Sequence, residues 1–143
     1  MFSQRVKNVI EPKRLLTAAP DESVRNIAKM MARKKVSAVV VVEDRRLVGI
    51  FTERDAVFRV IARGLDPDRT RLEDVMTKTP KSIAPDESFG YALLVMHENG
   101  FRHLPVVEDG VPIGIVSSRN AIDPDMEEFV SEARRRHHIR QRV

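Results

Sequence analysis

At 143 residues the chain has room for one domain or two very small ones. Hydrophobic residues make up 42% and aromatics 5%, with no tryptophan and no cysteine, so the expected core is aliphatic, and disulfide staples, thiolate metal sites and a cysteine nucleophile are excluded. The formal charge of +4 belongs to the last ten residues, where Arg134, Arg135, Arg136, Arg140 and Arg142 stand without one acid; without those five the balance is −1, which argues against a body that grips nucleic acid over its whole face.

Residues 1–14 read as a polar lead-in, with Pro12 breaking any early helix. Leu15 to Ala18 is a short strand. Asp21 is a plausible helix N-cap with acids in the first turn, and the helix runs to about Lys34 with Val24, Ile27, Ala28 and Met31 on one apolar face. Val36 to Val42 is an apolar run rich in valine, as expected of a strand buried on both sides. A turn over Glu43 to Arg46 and a strand over Leu47 to Phe51 complete a hairpin. A second helix follows Thr52 and stops near Gly64. Leu65 to Pro80 is a polar, proline-containing connector with a short Leu72 to Met76 segment.

The same order then recurs. Pro20-Asp21-Glu22-Ser23 returns as Pro85-Asp86-Glu87-Ser88, Val41-Val42-Glu43-Asp44 as Val106-Val107-Glu108-Asp109, and Gly49-Ile50 as Gly114-Ile115, all at an offset of 65 residues and without a gap from Thr17–Asp55 to Ser82–Asn120. The second copy gives a helix with Phe89, Ala92, Leu93 and Met96 on its apolar face, an Asn99-Gly100 cap, and strands over Phe101 to Val107 and Val111 to Val116. The copies diverge after Asn120. Pro124 stands where the first copy has Arg59, so the second helix is expected to break at Asp123 and restart with Pro124 in its first position, running to about Arg136. Two copies point to two subdomains about an approximate two-fold axis, each marginal alone. The organisation expected is a first repeat over 8–64, a connector over 65–80, a second repeat over 81–122, and a C-terminal helix with basic tail over 123–143. Each repeat is strand, helix, strand, strand, helix, in an α+β (α/β) fold with the sheets packed together and the helices outside.

The two strand-to-helix corners, Gly49-Ile50-Phe51-Thr52-Glu53-Arg54-Asp55 and Gly114-Ile115-Val116-Ser117-Ser118-Arg119-Asn120, hold the chemistry. Thr52 with Asp55 three residues on fits a capping box and needs no ligand to explain it. An arginine at the same place in both copies, Arg54 and Arg119, is not explained that way. A helix N-terminus with an arginine suits an anion, and a carboxylate one turn in can accept two hydrogen bonds from a vicinal diol; together these suit a nucleotide. Phe101-Arg102-His103-Leu104-Pro105 marks the strand start of the second copy. On its own it is a solvated strand end with a surface histidine, but Pro105 cannot donate to a ladder and suggests an irregular edge with backbone groups left over.

With these residues in view the two copies resemble the CBS domain, and the pair resembles a Bateman module, over roughly residues 8–122. The matching features are the Gly-hydrophobic-x-Thr/Ser-x-x-Asp corner, the hydroxyls Thr17 and Ser82, the Pro-Asp-Glu-Ser helix starts and the Arg-His-Leu-Pro-Val-Val strand. The body is similar to small stand-alone bacterial CBS-pair proteins. The resemblance implies an adenosine ligand in the cleft between the repeats: AMP first, with ADP, ATP, NAD(H) or S-adenosyl compounds as alternatives, and no catalytic cofactor. By position, the first site would use Thr52, Arg54 and Asp55, with Ser82 and Ile83 near the base and Phe101, Arg102 and His103 completing it. The second would use Ser117 and Asn120, with Thr17 and Val36-Ser37-Ala38 against the base. Asn120 departs from the usual Asp and forgoes a charge-assisted bond pair, a cost of roughly 1–3 kcal/mol. That ranks the Asp55 site first and the Asn120 site second.

The expected function is a regulatory module that senses adenosine nucleotides and signals energy or redox state to a partner protein. No segment here is long enough for an effector domain, so that partner would be a separate chain. The resemblance also implies a homodimer, a flat disc formed through the helices. Catalysis is not expected: His97, His103, His137 and His138 show no metal-ligand spacing, and no glycine-rich phosphate loop or nucleophile elbow occurs. The alternatives are nucleic-acid binding through the basic tail, which lacks aromatics for base stacking, and a structural dimerisation module without ligand. No apolar run approaches the roughly 20 residues that span a bilayer, and no apolar segment follows Arg5 and Lys7 to make a secretory signal. The expected location is the cytoplasm.

Overall fold

A computed structural model describes residues 2–141, with the backbone alone described for residues 121–128 and 141. The first repeat forms a four-stranded sheet in the order β1 (Thr17–Ala18), β2 (Ala38–Glu43), β3 (Arg46–Thr52), β4 (Thr77–Lys78), with β1 parallel to β2 and the other pairs antiparallel. The second contributes β5 (His103–Glu108) and β6 (Val111–Ser117), antiparallel, with Ile83 bridged in parallel to Val106 just as Ala18 pairs with Val41. Both hairpins turn through two residues at positive φ: Asp44 and Arg45 (51° and 68°), and Asp109 and Gly110 (53° and 81°). This is the turn whose twist matches that of the flanking strands. The strands β3 and β6 meet between the repeats, and the Leu47 N–H donates to the Gly110 carbonyl at 3.2 Å.

Helix α1 (Val24–Lys34) buries Val24, Ile27 and Met31, and α4 (Phe89–Asn99) buries Phe89, Ala92 and Met96. Two details depart from expectation. Ala28 stays exposed. The N-cap of α1 is Ser23, not Asp21: its Oγ accepts the Asn26 N–H at 3.2 Å, and Ser88 does the same for Tyr91 at 3.1 Å. A serine adjoining the first turn reaches the third amide directly, while Asp21 lies in the preceding turn. Lys35 and Gly100, both left-handed, close the two helices.

The lead-in is not merely polar. Val6 is fully buried and Ile10 nearly so, both in the core of the second repeat with Phe89, Leu104 and Val116. The Val6 and Lys7 amides donate to the Glu87 and Pro85 carbonyls. The connector does the reciprocal: Leu72 and Val75, from the short helix α3 (Leu72–Val75), and Met76 enter the core of the first repeat with Ile27, Val39 and Phe51. Each repeat is therefore completed by the segment that precedes the other. Side chains as large as Leu72, buried outright, are each worth about 1.5–3 kcal/mol. Gly49 and Gly114 mark the same exchange, since a Cβ there would meet Met76 and Ile10, respectively.

After Thr52, α2 (Glu53–Asp55) continues as a π-helix over Ala56–Ile61. In the second repeat α5 (Arg119–Gln141) is continuous, so the break expected at Asp123 is absent. Pro124 forfeits one backbone donor, and the run of good helix formers that follows, Glu127, Glu128 and Ala133 to Arg136, carries the helix past it. Of the basic tail, Arg142 lies outside the described residues.

Candidate functional site

A cleft of about 1220 Å³ opens between the repeats. Its walls are the end of α1, the start of β2 (Val36, Ser37, Ala38), Phe51, the first turn of α2, the start of β5 (Arg102, His103), Ile115 and Ser117 of β6, and the start of α5 at Arg119 and Asn120. Apolar surface comes from Ala28, Met31, Val36 and Ile115; charge comes from Arg14, Lys35, Arg102 and Arg119 against Glu11 and Glu53. Four cations facing two carboxylates, on partly apolar walls, suit an anion with a flat apolar portion.

The two corners are built alike. The Glu53 N–H donates to the Ser37 carbonyl at 2.9 Å, and the Ser118 N–H to the Arg102 carbonyl at 3.1 Å, so each helix start is tied to the strand start of its own repeat. At the first corner the capping box is real: Asp55 Oδ2 accepts the Thr52 N–H at 2.9 Å and the Thr52 hydroxyl at 3.3 Å, while the Asp55 N–H donates to Thr52 Oγ1 at 3.4 Å. The other carboxylate oxygen lies 3.5 Å from Arg59 Nε. Arg59 in turn donates to the Val75 and Met76 carbonyls, both at 3.2 Å. Asp55 is buried, and through Arg59 it pins the connector against the first repeat. Arg54 lies over the Phe58 ring, 5.0 Å from its centroid.

At the second corner Asn120 Oδ1 accepts the Ser117 N–H at 2.7 Å and the Ser117 hydroxyl at 3.2 Å. The backbone donor fixes the amide orientation, so Nδ2 is left as a donor at the edge of the cleft. The residue aligned with Arg59 is Pro124, which brings no cation to this corner.

His103 joins the repeats: its Nε2 lies 2.8 Å from Ser37 Oγ. The half-buried imidazole is held below its ordinary pKa by desolvation first, with Glu53 pulling upward and Arg102 pushing further down.

Of the residues expected at the two sites, Val36, Ser37, Ala38, Arg102, His103, Ser117 and Asn120 line this one cleft. Thr17, Thr52, Arg54, Asp55, Ser82, Ile83 and Phe101 are not among its lining residues. Ile83 is buried and bonded to Pro105 and Val107 through its backbone, and Phe101 packs against the core of the second repeat. Pro105 pairs with Ile115 and uses its carbonyl to accept the Ile83 N–H. Glu11, Arg14, Lys35 and Glu53 were not expected at the site. Arg14 arrives because the lead-in crosses to the cleft, where it donates to the Lys35 carbonyl at 2.7 Å, and no periodicity reports such a crossing. Among the described residues no cluster of His, Asp and Glu could hold a metal ion, and no helix is long and apolar enough to cross a membrane.

The CBS-domain family model matches residues 6–62 and again 72–126. The chain belongs to the CBS-domain family. It is 36% identical over 118 residues to the CBS domain-containing protein CBSCBSPB1 of Arabidopsis thaliana, covering 81% of this chain and 22% of that one. It is 33% identical over 125 residues to the mitochondrial CBS domain-containing protein CBSX3 of the same plant, covering 84% and 61%. The CBS pair thus spans about a fifth of the length of the first of these relatives. Among solved structures, an uncharacterized conserved protein from Pyrococcus horikoshii superposes with a TM-score of 0.80 at 28% identity over 87% of this chain and 94% of that one. A CBS-domain protein from Burkholderia ambifaria, provisionally assigned to signal transduction, superposes with a TM-score of 0.79 at 29% identity over 87% and 95%.

Proposed function

We propose that this CBS pair is a regulatory module that binds an adenosine nucleotide in the cleft at the Asn120 corner. The observation that carries the reading is the convergence of Ser37, Arg102, His103, Ser117 and Asn120, from both repeats, on one cleft with an excess of cations. Adenine lies against the apolar walls near Val36 and Ile115, the ribose meets Ser117 and Asn120, and the phosphate faces Arg102 and His103. AMP is the first candidate; ADP, ATP, NAD(H) and S-adenosyl compounds are the others. This reverses the order expected from the corner motifs alone. Asp55 has one oxygen in the capping box and the other beside Arg59, whereas the Asn120 corner keeps a donor and an open cleft.

The module is not an enzyme in this reading. Ligand binding shifts the contacts between the repeats, and a separate effector protein in the cytoplasm reads the change. Titration calorimetry of the ligand-stripped protein against AMP, ADP, ATP, NAD, NADH and S-adenosylmethionine tests it. At least one should bind at millimolar concentration or below, and silence across the panel would sink the sensor reading.

A further inference from the structure

His103 opens β5 directly opposite Ser117 of β6, so its ring stands on the same sheet face as the side chain that holds Asn120. From there Nε2 reaches Ser37 Oγ of the other repeat at 2.8 Å. The charged groups that share the cleft with this pair come from every element around it. Glu11 and Arg14 belong to the lead-in, Lys35 to the end of α1, Glu53 to α2, Arg102 to the start of β5 and Arg119 to α5. Four cations against two carboxylates make a further positive charge unfavourable there unless an anion offsets it. Burial of the ring acts in the same direction, Arg102 adds to it and Glu53 opposes it.

We infer that Ser37 and His103 form a clamp that takes up an anionic ligand together with a proton, and so selects phosphorylated adenosine ligands over uncharged or cationic ones. The inference rests on the nucleotide reading of the same cleft. A phosphate monoester brings a charge of about −1.5 to −2 near neutral pH, which offsets the surrounding cations and favours the imidazolium. The proton comes from solvent and goes to whichever ring nitrogen is bare in the neutral form. In the imidazolium both ring nitrogens are donors and neither accepts. Nε2 then donates to Ser37 Oγ, and the hydrogen of the Ser37 hydroxyl is left for a phosphate oxygen. One proton thus charges the ring and aims a second donor at the ligand, from the other repeat. Uncharged adenosine brings no such compensation. The sulfonium of an S-adenosyl compound adds a cation to walls that already carry an excess.

The test is an NMR titration of the imidazole protons of the full chain with pH, with and without saturating AMP. The His103 signal is the one missing from His103→Gln, and His97, His137 and His138 serve as internal references. His103 should titrate about one unit or more higher with AMP than without, while the other three move little. Millimolar adenosine should leave it unmoved. Calorimetry near pH 7 in buffers of different ionisation enthalpy should show more proton uptake with AMP in the parent protein than in His103→Gln, a comparison in which the titration of the AMP phosphate itself cancels. Ser37→Ala should shrink the AMP-induced rise and weaken AMP about threefold to tenfold. S-adenosylmethionine should bind at least tenfold more weakly than AMP. AMP that binds and leaves the His103 titration unmoved would overturn the clamp while the nucleotide reading stands, as would an equal rise with adenosine. Tighter binding of S-adenosylmethionine than of AMP would overturn the selection. Silence from AMP, ADP, ATP and NAD alike would remove the nucleotide reading and the clamp with it.

Discussion

The Ser37 hydroxyl lies 2.8 Å from Nε2 of His103, so a residue at the start of β2 in one repeat is hydrogen-bonded to the start of β5 in the other, inside the cleft that both repeats line. This contact makes the two halves of the chain one site. The same imidazole, shielded from water and beside Arg102, resists taking a proton, Glu53 offsetting this in part.

A pH dependence follows. The folded pKa of His103 is depressed, so the unfolded chain binds the proton more readily. The stabilisation is present above the unfolded value of about 6.5 and is lost as pH falls through the folded pKa. The urea midpoint of the ligand-free protein should drop between pH 7.5 and pH 5.5, and His103→Gln should flatten that drop. An unchanged slope in the variant would remove His103 from the account.

Asn120 offers a gain-of-function test. Its carbonyl oxygen is engaged by Ser117, so Asn120→Asp would keep that contact and add a second, charged oxygen with no arginine at position 124 to neutralise it. A ribose diol there should bind more tightly by about 1–2 kcal/mol, roughly fivefold to thirtyfold, read by calorimetry. Weaker binding would put the phosphate, and not the ribose, at this corner.

At the first corner the expectation is the opposite. Asp55→Ala removes a cap and the anchor of Arg59, at a cost of about 1–2 kcal/mol in stability, while nucleotide affinity stays within about twofold of the parent protein. A variant that folds with an unchanged melting temperature but no longer binds would move the site to the Asp55 corner.

Leu72→Ala tests the exchange of segments between repeats. Leu72 belongs to the stretch that reads as a polar connector, yet it is fully buried in the first core. Truncation should cost about 2–5 kcal/mol by urea unfolding. The cost of an ordinary surface change, under about 0.5 kcal/mol, would contradict this packing.

What the sequence discloses follows from where the forces act. The gapless offset between Pro20-Asp21-Glu22-Ser23 and Pro85-Asp86-Glu87-Ser88, the apolar faces of α1 and α4 and the two hairpins are local patterns, and, Ala28 excepted, the structure bears them out. The burial of Val6, Ile10 and Leu72 is not local: each lies in a polar stretch and finds its core in the distant repeat. The Asp55–Arg59 pair, by contrast, is local: the two stand at i, i+4, the spacing at which helix side chains meet, so this partner for Asp55 is legible in the sequence. Pro124 is the reverse case, a strong local breaker overridden by the helix formers downstream.

The most direct measurement is an amide NMR titration of the ligand-stripped protein with AMP, followed by the other nucleotides. Shifts should concentrate at Val36 to Ala38, Arg102, His103 and Ser117 to Asn120, and saturate with the calorimetric affinity. Shifts confined to Thr52–Asp55 and Ser82–Ile83, or none with any adenosine ligand at millimolar concentration, would contradict the proposed site.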